Sequence, residues 1–496
     1  MHKQTSSPDP QVRLSGKLGV GAIVFMVVAA AAPLTVVAGL TPVGILLGTG
    51  PGFPGMFVVV GGIFFLFAVG LCAMAARVSD SGGFFAYIAS GLGFRAGVSA
   101  SFLAVLMYTS SQVGVYAFLG LQISNFTGAL GLPVPWWAAT LVCVAIVGYM
   151  GYRHIDFSAR ALVVLLLGEV LVTVIISVAI VLSRGADGLT LAPITPGSVF
   201  AGNVGVGIMF AVSSFVGFES TTIYRDEARN PEKTIPRATY IAVTGVAVFY
   251  LIGTWAFVMG WGVDRVVEEA ARTLAQGDMY QQTAVRYVGT WLGVVVNILL
   301  ITSLFACILS FHNVTSRYLF ANGQRGIFHR RLGSISPKHS SPGTASLCVT
   351  AGVAVLLLAL IVAGLQPGTQ LFPWFAGVGV VGVLILMIAT SAAVIGYLHR
   401  NPEGVNRWRR IVAPILAIIG LVVCFVFVVT NFNILVSDID ANGNPIVGPI
   451  TLTILGVIFA SPILGFLWGM LLQRRNGSSA LPVRGNAVPT EPTHST

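Results

Sequence analysis

Charge is what this sequence has least of. Only 9% of its 496 residues are charged, and acids are scarcer than bases, with 17 Asp and Glu against 27 Lys and Arg. An ordinary globular chain carries about 25% charged residues, and a soluble chain of this size needs that polarity to cover its surface. Cysteine is sparse as well: Cys72, Cys143, Cys307, Cys348 and Cys424 are an odd five, all inside apolar runs. They form neither a disulfide framework nor a zinc spacing. The seven His are scattered without an H-E-x-x-H pattern, so no metal and no cofactor is expected. A Walker A loop is missing, which excludes pumping by ATP hydrolysis. No Ser–His–Asp arrangement supports a membrane enzyme, and no filter repeat or ring of charges supports a channel. A G-X-Y period, a heptad repeat and a tract of low hydrophobicity are equally absent, which excludes collagen, coiled coil and a disordered chain.

What is present is apolar length. Hydrophobic residues make up 55% of the chain, 30 Phe and 8 Trp among them, and 58 Gly come in addition. A membrane span needs about 20 apolar residues at roughly 1.5 Å of rise each. Twelve runs qualify: 18–48, 53–77, 96–127, 134–152, 160–184, 199–224, 237–262, 289–321, 345–365, 370–398, 410–430 and 448–474. They are long and lack alternation, and lipid forbids unpaired backbone, so each reads as a helix. The expected architecture is one all-α polytopic membrane domain of 12 transmembrane helices over 18–474, with polar tails at 1–17 and 475–496. The first run continues past Pro33 to Leu47, too long for a secretory h-region, so it is retained as a span.

The bases set the orientation. Arg184, Arg265, Arg272 and Arg286 fall in loops on one side, and every other Lys and Arg lies in a tail or loop on the side of the N-terminus. Positive charge accumulates on the cytoplasmic side, so both termini are expected inside, in a cell (plasma or inner) membrane. The net charge of +10 then belongs to the bilayer and not to a nucleic-acid partner. The outer loop 263–288 is expected to carry an amphipathic helix around Val266–Leu274. Gly48-Thr49-Gly50-Pro51-Gly52 has no preceding strand and reads as a turn. Asp438-Ile439-Asp440-Ala441-Asn442-Gly443 opens like a calcium loop, but Pro449 stands at the twelfth position where a bidentate Glu is required. It reads as a polar turn. His312 reads as a packed residue near one end of the eighth span.

Two spans are built to break. Ala29-Ala30-Ala31-Ala32-Pro33-Leu34-Thr35 lies near the centre of the first, where Pro33 supplies no amide and disfavours helix at Ala32. Ser213-Ser214-Phe215-Val216-Gly217-Phe218 lies at comparable depth in the sixth, and Gly217 frees the backbone there. Interrupted helices at matching places in two halves point to a transporter site at the midplane. Two acids also stand inside the membrane, Glu169 and Glu219. Glu169 is nine residues past Arg160, roughly 13.5 Å up the fifth span and so about mid-bilayer. An ionised carboxylate there costs at least about 2.5–3.5 kcal/mol unless paired or wet, which makes Glu169 a candidate proton carrier or partner for an ammonium. Glu219, just past the sixth-span break, is a candidate for the same coupling and for capping amides freed by that break.

The sixth span and its loop read Phe215-Val216-Gly217-Phe218-Glu219, then Asp226-Glu227-Ala228-Arg229-Asn230-Pro231 and Ile235-Pro236-Arg237-Ala238. Ser81-Gly82-Gly83-Phe84-Phe85-Ala86-Tyr87 follows the second span, and Ser316-Arg317-Tyr318-Leu319-Phe320-Ala321-Asn322-Gly323-Gln324-Arg325-Gly326 closes the eighth. Together these motifs resemble the amino acid–polyamine–organocation (APC) permease family, over about residues 15–430. The resemblance implies a leucine-transporter-type fold, with helices 1–5 and 6–10 as inverted repeats and two peripheral helices. It implies substrate contacts at Ala32, Pro33, Leu34 and Thr35, where amides receive a carboxylate, and at Ser214, Phe215, Val216 and Gly217, where carbonyls receive an amino group. Phe218 and, from the third span, Tyr108 add aromatic walls. Glu169 falls where several proton-coupled relatives place an ionisable residue, often Lys. The expected protein is not an enzyme. It is a secondary active transporter of a neutral amino acid or related small amine, working by alternating access with protons as the coupling ion. A polyamine or amino-alcohol carrier of the same fold is the alternative.

No Lys or Arg stands near mid-membrane to meet an acidic side chain. Glutamate and aspartate are therefore expected to compete at least about tenfold more weakly than neutral amino acids, which an inhibition series on labelled uptake checks.

Overall fold

The computed structural model describes residues 18–78, 83–153, 159–274, 276–336, 341–438 and 445–476. The expected N-terminal tail, most of the C-terminal tail, Ser81 and Gly82 of the second-span motif and all but the first residue of the Asp438–Gly443 turn lie outside them. Runs of Val, Ile, Leu, Phe and Ala fold as helices because a helix pairs its own backbone within one segment. In chain order these are α1 Val20–Ala31, α2 Phe53–Ala75, α3 Phe84–Leu92, α4 Phe94–Ala129, α5 Trp136–Arg153 and α6 Ala159–Arg184. Then come α7 Val204–Ser213, α8 Pro231–Trp261, α9 Val266–Thr273, α10 Met279–Tyr287 and α11 Thr290–Gln324. Last are α12 Gly343–Val362, α13 Phe372–Arg400, α14 Ala413–Thr430 and α15 Pro449–Asn476. Among the described residues there is no strand, only isolated bridges such as that between Leu18 and Ala228.

Among the described residues ten helical stretches are long and apolar enough to cross a membrane, against the twelve runs expected. Two local causes account for the difference. Val20–Ala75 is one continuous helical stretch, joining the first two runs through irregular turns. Helix α5 is only 18 residues long and carries Trp136, Trp137, Tyr149, Tyr152 and Arg153, so it falls short in apolar character. The amphipathic segment of the outer loop is helical as α9, where Val266 and Ala270 are buried and Glu268 and Glu269 stand in the first turn.

The first break is local chemistry. Ala32 takes the left-handed conformation, φ 46° and ψ 71°, and its amide closes α1 on the Val28 and Ala29 carbonyls. Pro33 opens the next segment, where its missing N–H costs nothing and its fixed φ suits a first helical position. Beyond it the chain runs in wide turns over Val36–Leu40 and Gly44–Thr49, and the Thr41 amide and hydroxyl both reach the Val36 carbonyl. The second break follows α7. Its start is capped by the Asn203 side chain, which accepts the Val206 amide at 3.0 Å. Its end gives way at Gly217, φ 113°, before tight turns over Phe218–Glu227.

These two broken segments lie side by side. Beyond the breaks, 44–49 packs on α7, and the Asn203 amide donates to the Gly48 carbonyl at 2.9 Å. The approach requires glycine: a Cβ on Gly48 would stand 2.9 Å from the Gly207 Cα. On the near side α1 packs on 218–227, and the Arg229 amide donates to the Leu18 carbonyl at 2.8 Å. Helices α6, α8 and α11 surround α1, while α4 is the hub that touches α11, α13 and α15. At the arginine-rich end several guanidinium groups close helix C-termini. Arg225 bonds the Ala75 carbonyl at the end of α2, and Arg400 reaches the Gly91 carbonyl of α3 at 2.6 Å. A cation on terminal carbonyls is favourable there.

Candidate functional site

Between the breaks lies a cavity of about 50 Å³, room for a few waters. The first segment lines it with Ala31, Ala32, Thr35, Val36 and Leu40, and the sixth with Ser213 and Val216. Helix α4 adds Ser111, Gly114 and Val115, helix α11 adds Cys307 and Phe311, and helix α13 adds Phe372 and Ala376. No charged side chain is among the lining residues. Toward the arginine-poor end the Phe118 and Phe372 rings stack with centroids 4.5 Å apart. Toward the other end Tyr108 packs against Phe311 and Tyr318, with centroids 6.1 and 5.7 Å away.

The two membrane acids sit beside this cavity, each bonded to an amide that a break has released. Glu169 on α6 is buried, and its Oε2 accepts the Leu34 amide at 3.2 Å and the Ser303 hydroxyl at 2.9 Å. A carboxylate at the N-terminus of a half-helix in low dielectric gains from both bonds and dipole. The carbonyl side of the same break is met by Tyr250, whose hydroxyl donates to the Ala31 carbonyl at 3.2 Å. Glu219 serves the other break: Oε2 accepts the Gly217 amide at 3.0 Å, and Oε1 accepts the Tyr108 hydroxyl at 2.7 Å. Among the described residues no group of His, Cys, Asp and Glu is disposed to hold a metal ion.

The residues singled out in the sequence divide into three sets. Ala32, Thr35 and Val216 line the central cavity. Pro33, Leu34, Ser214, Phe215, Gly217 and Phe218 build the breaks behind it. Leu34 spends its amide on Glu169, and Ser214 turns its hydroxyl to the Phe210 carbonyl at 2.8 Å. Phe215 and Phe218 pack away on Phe64, each with centroids 5.3 Å apart. Tyr108 lines a narrow second cleft with Glu219, Tyr87, Thr222 and Tyr318. Ser303, Cys307 and Phe311 were missed, although their four-residue spacing places them on one face of α11. Ser111, Gly114 and Val115 follow the same rule on α4, and Tyr250 carried no local signal at all. His312 is buried off the cavity, with Nε2 2.8 Å from Ser346 Oγ and Nδ1 3.5 Å from Gln112 Nε2.

A helical membrane protein whose two interrupted segments face each other across an uncharged cavity has the architecture of a secondary transporter. The chain belongs to the amino acid permease family, whose family model matches residues 18–460, within the APC superfamily that the motifs resemble. It is 22% identical over 421 residues to the branched-chain amino acid permease BcaP of Bacillus subtilis (strain 168), covering 79% of this chain and 84% of that one. It is 24% identical over 371 residues to the cadaverine/lysine antiporter of Escherichia coli (strain K12), covering 71% and 77%. The gamma-aminobutyric acid permease of Bacillus subtilis (strain 168) is 24% identical over 234 residues, 45% of this chain and 47% of that one. It is thus a multi-pass membrane protein, and its relatives are transporters and not enzymes.

The positive φ of Gly217 sets a testable cost. Gly217→Leu forces a side chain into a left-handed position worth about 1–2 kcal/mol of strain and shifts the amide that Glu219 holds. Uptake affinity is expected to fall at least about fivefold while the protein still inserts, measured by saturation uptake beside detergent-extracted yield.

Proposed function

We propose that this permease carries a neutral amino acid or a related small amine across the cell membrane by alternating access, driven by the proton gradient. In this reading twelve helices over 18–474 cross the bilayer, counting Val20–Ala75 as two crossings and α5 as one. Helices 1–5 and 6–10 form inverted repeats, two are peripheral, and both tails are cytoplasmic. The observation that carries the cargo class is the cavity itself: it lies between the two breaks and has hydroxyl, thiol, methyl and aromatic walls without a charged side chain. An extra charge on the cargo would enter low dielectric unpaired, at a cost of several kcal/mol. Kinship does not choose the cargo. Branched-chain amino acids, cadaverine, lysine and gamma-aminobutyric acid stand in the names of relatives at 22–24% identity.

Ala32 and Thr35 from the first break, and Val216 from the second, form the contact surface in this reading. Pro33, Leu34, Ser214, Phe215, Gly217 and Phe218 hold the two breaks open, and Tyr108 closes the cytoplasmic side. Glu169 is the proton carrier. It joins α6, α11 and the first break through the Ser303 and Leu34 bonds, so a proton on Oε2 removes the acceptor that those donors share. Glu219 couples in the same way to Gly217 and Tyr108. One observation favours the amine over the α-amino acid. Pro33 has no amide and the Leu34 amide is held by Glu169, so two of the donors a substrate carboxylate would use are withdrawn.

Reconstitution into proteoliposomes tests the reading. Labelled neutral amino acids or small amines should accumulate under an inward proton gradient, and absence of uptake for both classes would refute it. Glu169→Gln keeps an oxygen acceptor for Leu34 and Ser303, so it should insert normally. It should lose most of the acceleration that external acid gives, at least about fivefold, with exchange at equal pH less affected. Mutant and parent responding alike to pH removes Glu169 from coupling. Amino-acid amides and decarboxylated analogues separate the two cargo classes: equal competition by these and by the parent amino acid means that no carboxylate is read.

A further inference from the structure

Thr35 is the polar group that the cavity leaves unspent. It is 5% exposed, it lines the cavity, and its Oγ1 has no hydrogen-bond partner. A hydroxyl on a membrane helix ordinarily returns to the carbonyl four residues back, as three threonines near the cavity do, whereas the unpartnered Thr390 and Ser391 hydroxyls of α13 lie off the cavity. Thr173 bonds the Glu169 carbonyl at 2.9 Å, Thr254 the Tyr250 carbonyl at 2.6 Å and Thr315 the Phe311 carbonyl at 2.7 Å. Thr35 is denied that partner by the break. Its counterpart is the Ala31 carbonyl, which lies across the left-handed turn at Ala32 and accepts the Tyr250 hydroxyl. The carbonyl three residues back, that of Ala32, takes the Val36 amide at 3.2 Å. A buried hydroxyl without a partner is destabilising, so whatever fills the cavity gains by bonding it.

The charge of that filling group is constrained on both sides. Glu169 Oε2 stands on the amide of Leu34, the residue next to Thr35. A second carboxylate brought to Thr35 would meet a like charge at close range in low dielectric. An ammonium can only donate, so it would leave the Thr35 hydroxyl proton without an acceptor, and the lining holds no acid to balance its charge. What remains is an uncharged group that both donates and accepts. Ser111 on α4 and Ser213 at the end of α7 line the same cavity and add two more hydroxyls of that kind.

We infer that Thr35, with Ser111 and Ser213, forms a subsite that reads a hydroxyl on the cargo. The carrier then prefers hydroxylated neutral amino acids or amino alcohols over apolar isosteres. This rests on the proposed cargo class and narrows it. Threonine against valine, and ethanolamine against propylamine, are near-isosteric pairs differing by hydroxyl for methyl. A site that hydrogen-bonds a substrate hydroxyl rejects the analogue lacking it, because its own polar groups stay unpaired.

The full-length protein in proteoliposomes, loaded with whichever labelled neutral amino acid or amine it takes up, is challenged with the four compounds. In the parent the hydroxylated member of at least one pair should compete about tenfold better or more. Thr35→Ser should keep that preference, and Thr35→Val should reduce it to about twofold or less by weakening the hydroxylated compound alone. Thr35→Ala stands in if the valine variant fails to insert. Valine and propylamine competing as well as their partners in the parent overturns the inference. So does a preference that survives loss of the hydroxyl, or uptake of a labelled substrate with which neither hydroxylated compound competes. In those cases the permease reading stands. No uptake of any neutral amino acid or amine overturns that reading, and the subsite falls with it.

Discussion

An amide or carbonyl without a partner in hydrocarbon costs several kcal/mol, and two breaks within apolar helical stretches create several such groups at once. The groups around the breaks satisfy those amides and carbonyls without closing the breaks. At the first, Glu169 accepts the Leu34 amide and Tyr250 donates to the Ala31 carbonyl. At the second, Glu219 accepts the Gly217 amide and is itself held by Tyr108. Each break is served by one carboxylate and one tyrosine hydroxyl. The supports differ in origin: Glu169 and Tyr250 reach in from α6 and α8, whereas Glu219 folds back on its own segment.

This arrangement ties the backbone of the site to groups that can change charge. A carboxylate accepts from amide and hydroxyl together, and a carboxylic acid accepts more weakly and must itself donate. One carboxylate, that of Glu169, thus anchors both the first break and Ser303 on α11 while lying outside the cavity lining. The separation also keeps the cavity walls free of charge.

The surrounding helices define the shape. Gly48 and Gly207 let the two broken segments touch backbone to backbone, so the breaks face each other across a small space. Phe118 on Phe372 and Tyr108 beside Phe311 and Tyr318 bound that space at its two ends. Inside it, the Thr35 hydroxyl has no partner on its own helix, unlike those of Thr173, Thr254 and Thr315. The same discontinuity that opens the helix thus leaves an unspent donor facing the cavity.

Much of this was legible in the residues. Apolar runs announced the helices because lipid leaves backbone no other choice. Pro33 and Gly217 announced the breaks because ring closure and the lack of a Cβ act on local backbone alone. Glu169 and Glu219 stood out because charge at that depth is costly wherever the chain goes next. What the sequence left open was which groups meet. That Leu34 answers Glu169 across 135 residues of chain, that Tyr250 covers Ala31, that Ser303 reaches Glu169, and that Cys307 and Phe311 line the cavity depended on packing between distant helices. The division of the predicted site residues into cavity lining and break supports had the same source. Local backbone chemistry decides where a helix stops, since its energy lies within a few residues. Which partner satisfies the exposed group is a contest among all the helices that pack there, and only the tertiary structure decides it.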